Sequence, residues 1–309
     1  MKRIAFLFSG QGAQYTGMGK DLYDRFSECK KMFEYSSEIW GRDISKLCFS
    51  SDSVTLSKTE NTQLAVHVVS LCTLELMRKY GIHPNVVAGY SLGEYAAMYA
   101  TGMFNLMEIL YLVGKRASAM KSAIDDTQAM GAISGENVCN VVESLCAEID
   151  NVWLANYNTP TQVTISGKKE GIQELFSRLE MIGGFRTVII NTGGAFHSPL
   201  MIPAGSIFAE DISFIKPRKN DIPIVLNTTG EFWNGQDDIK KNMIAHIKKP
   251  VQWNKSMETL LEYGVEVVIE LGPGNTLSRF SNAIKGERKV DIFSVSDVCT
   301  LEKLINYLY

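Results

Sequence analysis

The run Val86-Val87-Ala88-Gly89-Tyr90-Ser91-Leu92-Gly93-Glu94, continued by Tyr95-Ala96-Ala97-Met98-Tyr99-Ala100, constrains this chain more than any other stretch. A short apolar run, then Gly-x-Ser-x-Gly, then a helix-compatible segment reads as strand, sharp turn and helix. Gly89 and Gly93, flanking Ser91 at equal spacing, leave room for a strained turn that projects the serine hydroxyl into the open. The first N–H groups of the next helix lie close to such a hydroxyl. Ser91 is therefore a candidate nucleophile, and the competing reading is an ordinary tight turn with an exposed serine.

A second strand-like run, Ile4-Ala5-Phe6-Leu7-Phe8, shows no alternation, the pattern of a strand covered on both faces. It ends in the glycine loop Ser9-Gly10-Gln11-Gly12-Ala13-Gln14, and such strand ends are where α/β proteins place sites. The loop lacks the Gly-x-Gly-x-x-Gly spacing and the lysine of a phosphate cradle, so a plain βα turn competes with a site here. Glu270-Leu271-Gly272-Pro273-Gly274 is again a strand ending in a glycine turn. Three such ends predict one α/β domain with a common rim. At 309 residues, 45% apolar and 21% charged, the chain can bury that core without staples.

The formal charge of −3 argues against a whole-surface binder of nucleic acid or membrane. Cys29, Cys48, Cys72, Cys139, Cys146 and Cys299 form no Cys-x-x-Cys pair and no regular spacing with histidine. Cytosolic thiols are expected, with no metal site and no thioredoxin-like motif. Met1-Lys2-Arg3 runs directly into the first strand without a signal-peptide cleavage region, and no apolar run approaches ~20 residues. The expected localisation is cytoplasmic. Between Lys216 and Lys255, eight bases stand against four acids, a local +4 that reads as a solvated face or as a receiving surface for an acidic protein.

Mixed polar and apolar residues from about Gly19 to Trp40 predict helix, and the turn-rich Ser50-Ser51-Asp52-Ser53 precedes a long helix from Thr62 to Tyr80 carrying Leu64, Val68, Leu71 and Leu74. His67 lies among its valines and is read as a packed core histidine. His83, in the connection Gly81-Ile82-His83-Pro84 into the elbow strand, is read the same way. A further helix from about Leu106 to Lys121 has an apolar stripe of Ile109, Leu112, Val113 and Met120 that includes Arg116. An arginine on a buried stripe needs an anion, because its charge is costly to desolvate alone. An internal Asp or Glu and a substrate carboxylate are the two candidates.

Residues 127–193 have their own rhythm. Strands are expected at Met130–Ile133, Val152–Tyr157, Gln162–Ser166 and Arg186–Ile190, with helices from Asn137 to Ile149 and from Lys168 to Met181. This β-α-β-β-α-β order is the split pattern of a ferredoxin-like module. The predicted architecture is an α/β-hydrolase-like large domain with a mostly parallel sheet, residues 1–126 and 194–309, interrupted by a ferredoxin-like small subdomain, residues 127–193. The small-residue loop Asn191-Thr192-Gly193-Gly194-Ala195-Phe196-His197-Ser198-Pro199 places His197 where the chain re-enters the large domain. No other histidine of the chain has such a setting. Strand-like runs recur from Ile222 to Asn227, Val265 to Leu271 and Val290 to Val295, before a short closing helix to Leu308.

Phe8-Ser9-Gly10-Gln11-Gly12-Ala13-Gln14, Gly89-Tyr90-Ser91-Leu92-Gly93-Glu94, Arg116, Asn156-Tyr157-Asn158-Thr159-Pro160-x-Gln162, Gly194-Ala195-Phe196-His197-Ser198, Pro250-Val251-Gln252-Trp253 and Glu270-Leu271-Gly272-Pro273-Gly274 together resemble the malonyl-CoA:acyl carrier protein transacylases. That family includes the free-standing acyltransferases of fatty acid and polyketide synthesis. The resemblance covers almost the whole chain in the family's order. It implies that malonyl-CoA acylates Ser91 and that the acyl group then passes to the phosphopantetheine thiol of an acyl carrier protein, a ping-pong scheme. It further implies His197 as general base and acid, oriented by the backbone carbonyl of Gln252, and an oxyanion hole from the N–H groups of Gln11 and Leu92.

The resemblance also implies that Arg116 clamps the malonyl carboxylate through paired hydrogen bonds, and that Phe196 limits space for an α-branch. No cofactor is implied, malonyl-CoA being the substrate, and a monomer is the expected state. Two positions depart from the family pattern. Tyr90, at the substrate-binding site, stands where histidine is usual, and Ser9 replaces a proline. Two other functions compete: an acyl hydrolase of the same fold that clears stalled carrier proteins, and a non-catalytic docking module for carrier proteins. Arg116 favours transfer, because a carboxylate clamp has no evident use for a plain acyl chain.

Overall fold

Runs of β-branched and apolar residues with no polar face require cover on both sides, and Val86–Gly89 and Val267–Leu271 are buried throughout their length. The computed structural model describes residues 2–190, 192–219 and 221–309; Met1 of the opening segment and Asn191 of the small-residue loop lie outside the described residues. The strands among these are β1 (Ile4–Phe8), β2 (Val86–Gly89), β3 (Gln128–Ser134), β4 (Val152–Thr159), β5 (Gln162–Lys168), β6 (Arg186–Ile190), β7 (Ile224–Val225), β8 (Val267–Leu271) and β9 (Asp291–Val295). They form two sheets. One is parallel, in the order β7-β2-β1-β8-β9, and the other antiparallel, in the order β4-β5-β3-β6. This is the α/β architecture expected, a parallel sheet interrupted by a small antiparallel one.

Register places the site. Phe8 pairs with Gly89 on one side and with Leu271 on the other, so the three glycine-bearing strand ends share one rim at the carboxyl edge of the sheet. The antiparallel sheet has its own core, including Ile133, Val142, Leu154, Val163, Ile165 and Leu175. Two backbone bonds tie it to the segment before the helix Trp253–Glu262: Val251 N–H to the Ala155 carbonyl at 2.8 Å and Tyr157 N–H to the Val251 carbonyl at 2.9 Å.

The helical expectation from Gly19 to Trp40 resolves into Lys20–Arg25 and Ser27–Trp40, broken at Phe26, whose backbone is extended (φ −121°, ψ 121°). The turn-rich stretch around Ser50 is flanked by short helices at Ile44–Ser50 and Ser53–Ser57, started by the side chains of Asp43 and Asp52 accepting from Lys46 and Thr55 N–H at 2.8 Å each. The long helix begins earlier than expected and spans Thr59–Lys79. The run from Ile222 to Asn227 contracts to β7. Pro223 has no N–H to give a ladder, and Leu226 N–H turns to the Glu231 carbonyl at 2.9 Å. His83 is exposed, not packed; in that connection it is Ile82 that is buried, its N–H bonded to the Met77 carbonyl at 2.9 Å.

His67 is buried, and neither ring nitrogen has a hydrogen-bond partner among the described residues. Burial alone pushes its pKa down to about 3, so it folds as neutral imidazole. Below the ordinary value of 6.5 and down to about 3, the unfolded chain takes up a proton that the folded chain refuses. Stability therefore falls with pH in that window, by up to about 1.4 kcal/mol per pH unit from this residue. Urea unfolding of His67→Leu at pH 7 and pH 5 is expected to show about 2 kcal/mol less acid destabilisation than the wild type. Equal losses in the two proteins would assign the acid sensitivity elsewhere.

Candidate active site

Ser91 has φ 50°, in the left-handed region that side chains disfavour, at a strain of order 1 kcal/mol. The turn is held from both sides. A Cβ on Gly89 would lie 2.0 Å from the Gly93 carbonyl carbon, and one on Gly93 would lie 2.0 Å from the Phe8 carbonyl oxygen, so strand and helix meet at a distance that only glycines allow. Asn227, fully buried, then locks the turn: its Oδ1 accepts from Ser91 N–H at 2.7 Å and its Nδ2 donates to the Gly89 carbonyl at 2.6 Å. Its own backbone N–H donates to Glu94 Oε2 at 2.6 Å, and Asn242 Nδ2 donates to Glu94 Oε1 at 3.1 Å. Glu94 sits in the first turn of the helix Gly93–Ala100, where the helix dipole favours a carboxylate.

Ser91 Oγ lies 2.7 Å from His197 Nε2, and His197 Nδ1 lies 2.8 Å from the His246 carbonyl. A carbonyl only accepts, so the proton is assigned to Nδ1 and the lone pair of Nε2 faces the serine hydroxyl. The His246 carbonyl is free for this because it belongs to the last turn of the helix Ile239–Lys248, where carbonyls have no intrahelical donor. The expectation that Gln252 orients His197 is thereby corrected. Gln252 precedes the helix Trp253–Glu262, and its carbonyl accepts from Ser256 N–H at 2.8 Å and Ser256 Oγ at 2.9 Å. The His246 imidazole stacks on that of His197, with centroids 5.2 Å apart and planes at 29°, and its Nδ1 lies 3.3 Å from Glu94 Oε1. Burial, then the neighbouring His246 and Arg116, hold the His197 pKa well below 6.5, against the opposing pull of backbone carbonyls. The ring is neutral at neutral pH, a base ready to accept a proton.

Arg116 stands on the helix Leu106–Ser122, which starts with a capping box between Asn105 and Glu108 and buries Ile109, Leu112, Val113 and Met120 beside it. Its Nη2 donates to Ser91 Oγ at 3.1 Å, its Nη1 donates to Gln63 Oε1, and its guanidinium lies over the Tyr95 ring at 5.4 Å. Nε has no partner, and no carboxylate among the described residues pairs with this buried cation. The internal Asp or Glu that sequence allowed makes no contact with it: Glu94 acts on the guanidinium only through space, its oxygens being bonded to Asn227 and Asn242. On the rim, neither Gln11 N–H nor Leu92 N–H finds an acceptor among the described residues. The glycine loop is pressed onto the elbow, where a Cβ on Gly10 would lie 2.3 Å from the Tyr90 carbonyl oxygen.

A cleft of about 210 Å³ opens between the rim and the small sheet, lined by Gln11, Tyr90, Ser91, Asn156, Phe196 and His197 among others. Phe196 is buried in its wall. Tyr90 donates from its hydroxyl to Asn158 Oδ1 at 2.6 Å and meets Trp253 edge-on at 5.4 Å, and burial raises its pKa, so it remains a donor. The residues that sequence reading missed are Asn227, His246 and Gln63. Asn227 ends a strand-like run on the same rim, a signal that was present. His246 acts through its main chain, which leaves no residue-type signal.

A model of the acyl transferase domain family matches residues 5–299. The malonyl CoA-acyl carrier protein transacylase of Bacillus subtilis (strain 168) is 35% identical, over 100% of this chain and 98% of its own length. The crystal structure of the malonyl CoA-acyl carrier protein transacylase of Clostridium perfringens superposes with a TM-score of 0.92 at 33% identity, covering 99% of this chain and 97% of that one. A malonyl-transacylase in complex with a type II polyketide synthase acyl-carrier protein also superposes at 0.92, with 27% identity and 99% of each chain covered. With its histidine and an arginine without an ion pair gathered around the elbow serine hydroxyl, the chain belongs to the acyl transferase domain family and, within it, to the malonyl-CoA:acyl carrier protein transacylases.

Proposed function

We propose that this chain moves a malonyl group from malonyl-CoA to the phosphopantetheine thiol of an acyl carrier protein through an ester on Ser91. Arg116 carries the proposal: it is a buried guanidinium without a carboxylate partner among the described residues, with one N–H 3.1 Å from the serine oxygen. A cation so close to the nucleophile suits an acyl group whose own carboxylate lies only two carbon–carbon bonds from the thioester carbonyl. The unpartnered Nε and the neighbouring Nη2 offer that carboxylate two parallel hydrogen bonds.

In the first half-reaction His197 Nε2 takes the Ser91 proton as Oγ attacks the thioester carbon. The carbonyl oxygen becomes an oxyanion facing the free N–H groups of Gln11 and Leu92. When the tetrahedral centre collapses, the C–S bond breaks and the imidazolium returns its proton to the departing CoA thiolate. In the second half the carrier thiol gives its proton to His197 and attacks the ester, and Ser91 leaves with that proton. The His246 carbonyl holds the imidazole through both halves. Phe196 narrows the cleft at the acyl α-carbon, and Tyr90, tied to Asn158, forms the facing wall. The scheme draws on no resident cofactor, because the thioester is already activated. A monomer acting in the cytoplasm completes the proposal; no helix among the described residues is long and apolar enough to cross a membrane.

Incubation with malonyl-CoA is expected to add one malonyl group, located on Ser91 by intact mass and peptide mapping, which added holo carrier protein then removes. Ser91→Ala takes up none. Predominant release of free malonate in the presence of carrier protein would favour the hydrolase instead. Arg116→Ala is expected to lower the preference for malonyl over acetyl thioesters about 100-fold, the effect of deleting one partner of a buried charge pair. An unchanged preference would give the arginine another role. Because the His197 pKa is depressed, its basic form persists on acidification. The profile of kcat/KM against pH is expected to stay flat down through 6.5 and to fall only below it. An acid limb centred at or above 6.5 would contradict this.

A further inference from the structure

Arginine can only donate hydrogen bonds, and that fixes the direction of a chain running from Arg116 to the rim. Its Nη1 donates to Gln63, so the Gln63 oxygen must face Arg116 and the amide nitrogen must face away. That nitrogen donates to Thr59 Oγ1 at 2.9 Å. The single hydroxyl proton of Thr59 then goes on to Gln11 Oε1 at 3.0 Å. Gln63 and Thr59 stand one turn apart on the buried face of the helix Thr59–Lys79, and both are almost wholly inaccessible. Every link points the same way, from the cation to the loop that follows β1.

At the far end the loop is held by its main chain, Gly10 lying against the Tyr90 carbonyl and Gly12 N–H donating to Gln14 Oε1 at 2.8 Å, and the Gln11 side chain is held by Thr59. Gln11 lies between Gly10 and Gly12; Gly12 has φ 104°, is exposed, and has nothing within 4 Å of an added Cβ. The Thr59 hydroxyl is the one side-chain partner of Gln11 among the described residues. We infer that Thr59 is a positioning residue that aims the Gln11 N–H at the reacting carbonyl oxygen, and that Gln63 and Thr59 tie this donor to the carboxylate-binding Arg116. This rests on the proposed malonyl transfer. The two ends of one substrate, its carboxylate and its thioester oxygen, are then held by groups linked through a single run of hydrogen bonds. A neutral amide at position 63 suits that task, because a carboxylate there would pair with Arg116 and compete with the substrate.

Deletion of an oxyanion-hole donor lowers kcat by roughly 100- to 1000-fold, and loss of its aim alone is smaller. Thr59→Val, which keeps the shape and removes the hydroxyl, is expected to lower kcat for malonylation of Ser91 about tenfold with KM within about twofold, the signature of a contact made in the transition state. Thr59→Ser, which restores the hydroxyl, is expected within about twofold of wild type. Gln11→Ala, at a half-buried position, removes the acceptor but not the backbone N–H and is expected to lower kcat in the same way but by no more than Thr59→Val, which also takes the acceptor from Gln63 Nε2. The double variant is expected to be no slower than Thr59→Val alone, since the bond that Gln11→Ala removes is already lost in that variant. Additive losses, a loss residing in KM, or failure of the serine variant to restore activity would overturn the inference. A wild-type protein that transfers no malonyl group would overturn the proposed function and this inference with it; normal wild-type transfer with an additive cycle would remove the relay alone.

Discussion

The backbone of Ser91 is held in a left-handed conformation, and the rest of the site is arranged around keeping it there. Three independent restraints converge on that one residue. Glycines at 89 and 93 let strand and helix approach to a distance no side chain allows. The Asn227 amide bridges the residue before the turn and the nucleophile's own N–H. The parallel pairing of β1 with β2 carries the glycine loop to the same level. Because each restraint comes from a different part of the chain, the turn is over-determined, which is how strained residues persist in folded proteins.

Charge is handled in the same convergent way. Arg116, Glu94, His197 and His246 are all buried within this small volume, where an unpaired charge is expensive. Glu94 accepts from Asn227 and Asn242 and faces His246, so its charge serves the elbow's scaffold. His197 avoids the cost by remaining neutral. Arg116 is treated differently, with an amide, an aromatic face and a hydroxyl in contact with it but no carboxylate within ion-pair distance among the described residues. That asymmetry separates the scaffold charges from the one available to a substrate.

Several elements were legible because their signals are local. The strand Arg186–Ile190 and the helix beginning at Leu106 behind Asn105 form where their apolar periodicity and cap place them. Three glycine-bearing strand ends pointed to a shared rim, and the register of β1 with β2 and β8 brings them level. Other features left weaker marks. The break at Phe26 interrupts a continuous helical pattern through backbone conformation alone, and the small helices after Asp43 and Asp52 sit in a stretch whose polar residues read as turn. Gln63 and Thr59 share a helix face, but neutral polar residues there suggest no chemistry until Arg116 and Gln11 are seen at either end.

By itself, the sequence determined which chemistry was available: a serine between glycines, one histidine in a small-residue loop, and an arginine on a buried stripe. Residue type and short-range spacing suffice for that, since strand, turn and helix signals act over a few neighbours. Only the tertiary structure decided what orients what. The carbonyl that holds His197 belongs to His246 rather than Gln252. All main-chain carbonyls look alike in sequence, and which one remains free depends on where a helix ends and against what it packs. That no acid among the described residues makes an ion pair with Arg116, Glu94 being bonded to Asn227 and Asn242 instead, was equally a matter of packing. Whether a buried charge is spent inside the fold or left for a substrate depends on neighbours far apart along the chain, and folding alone brings them together.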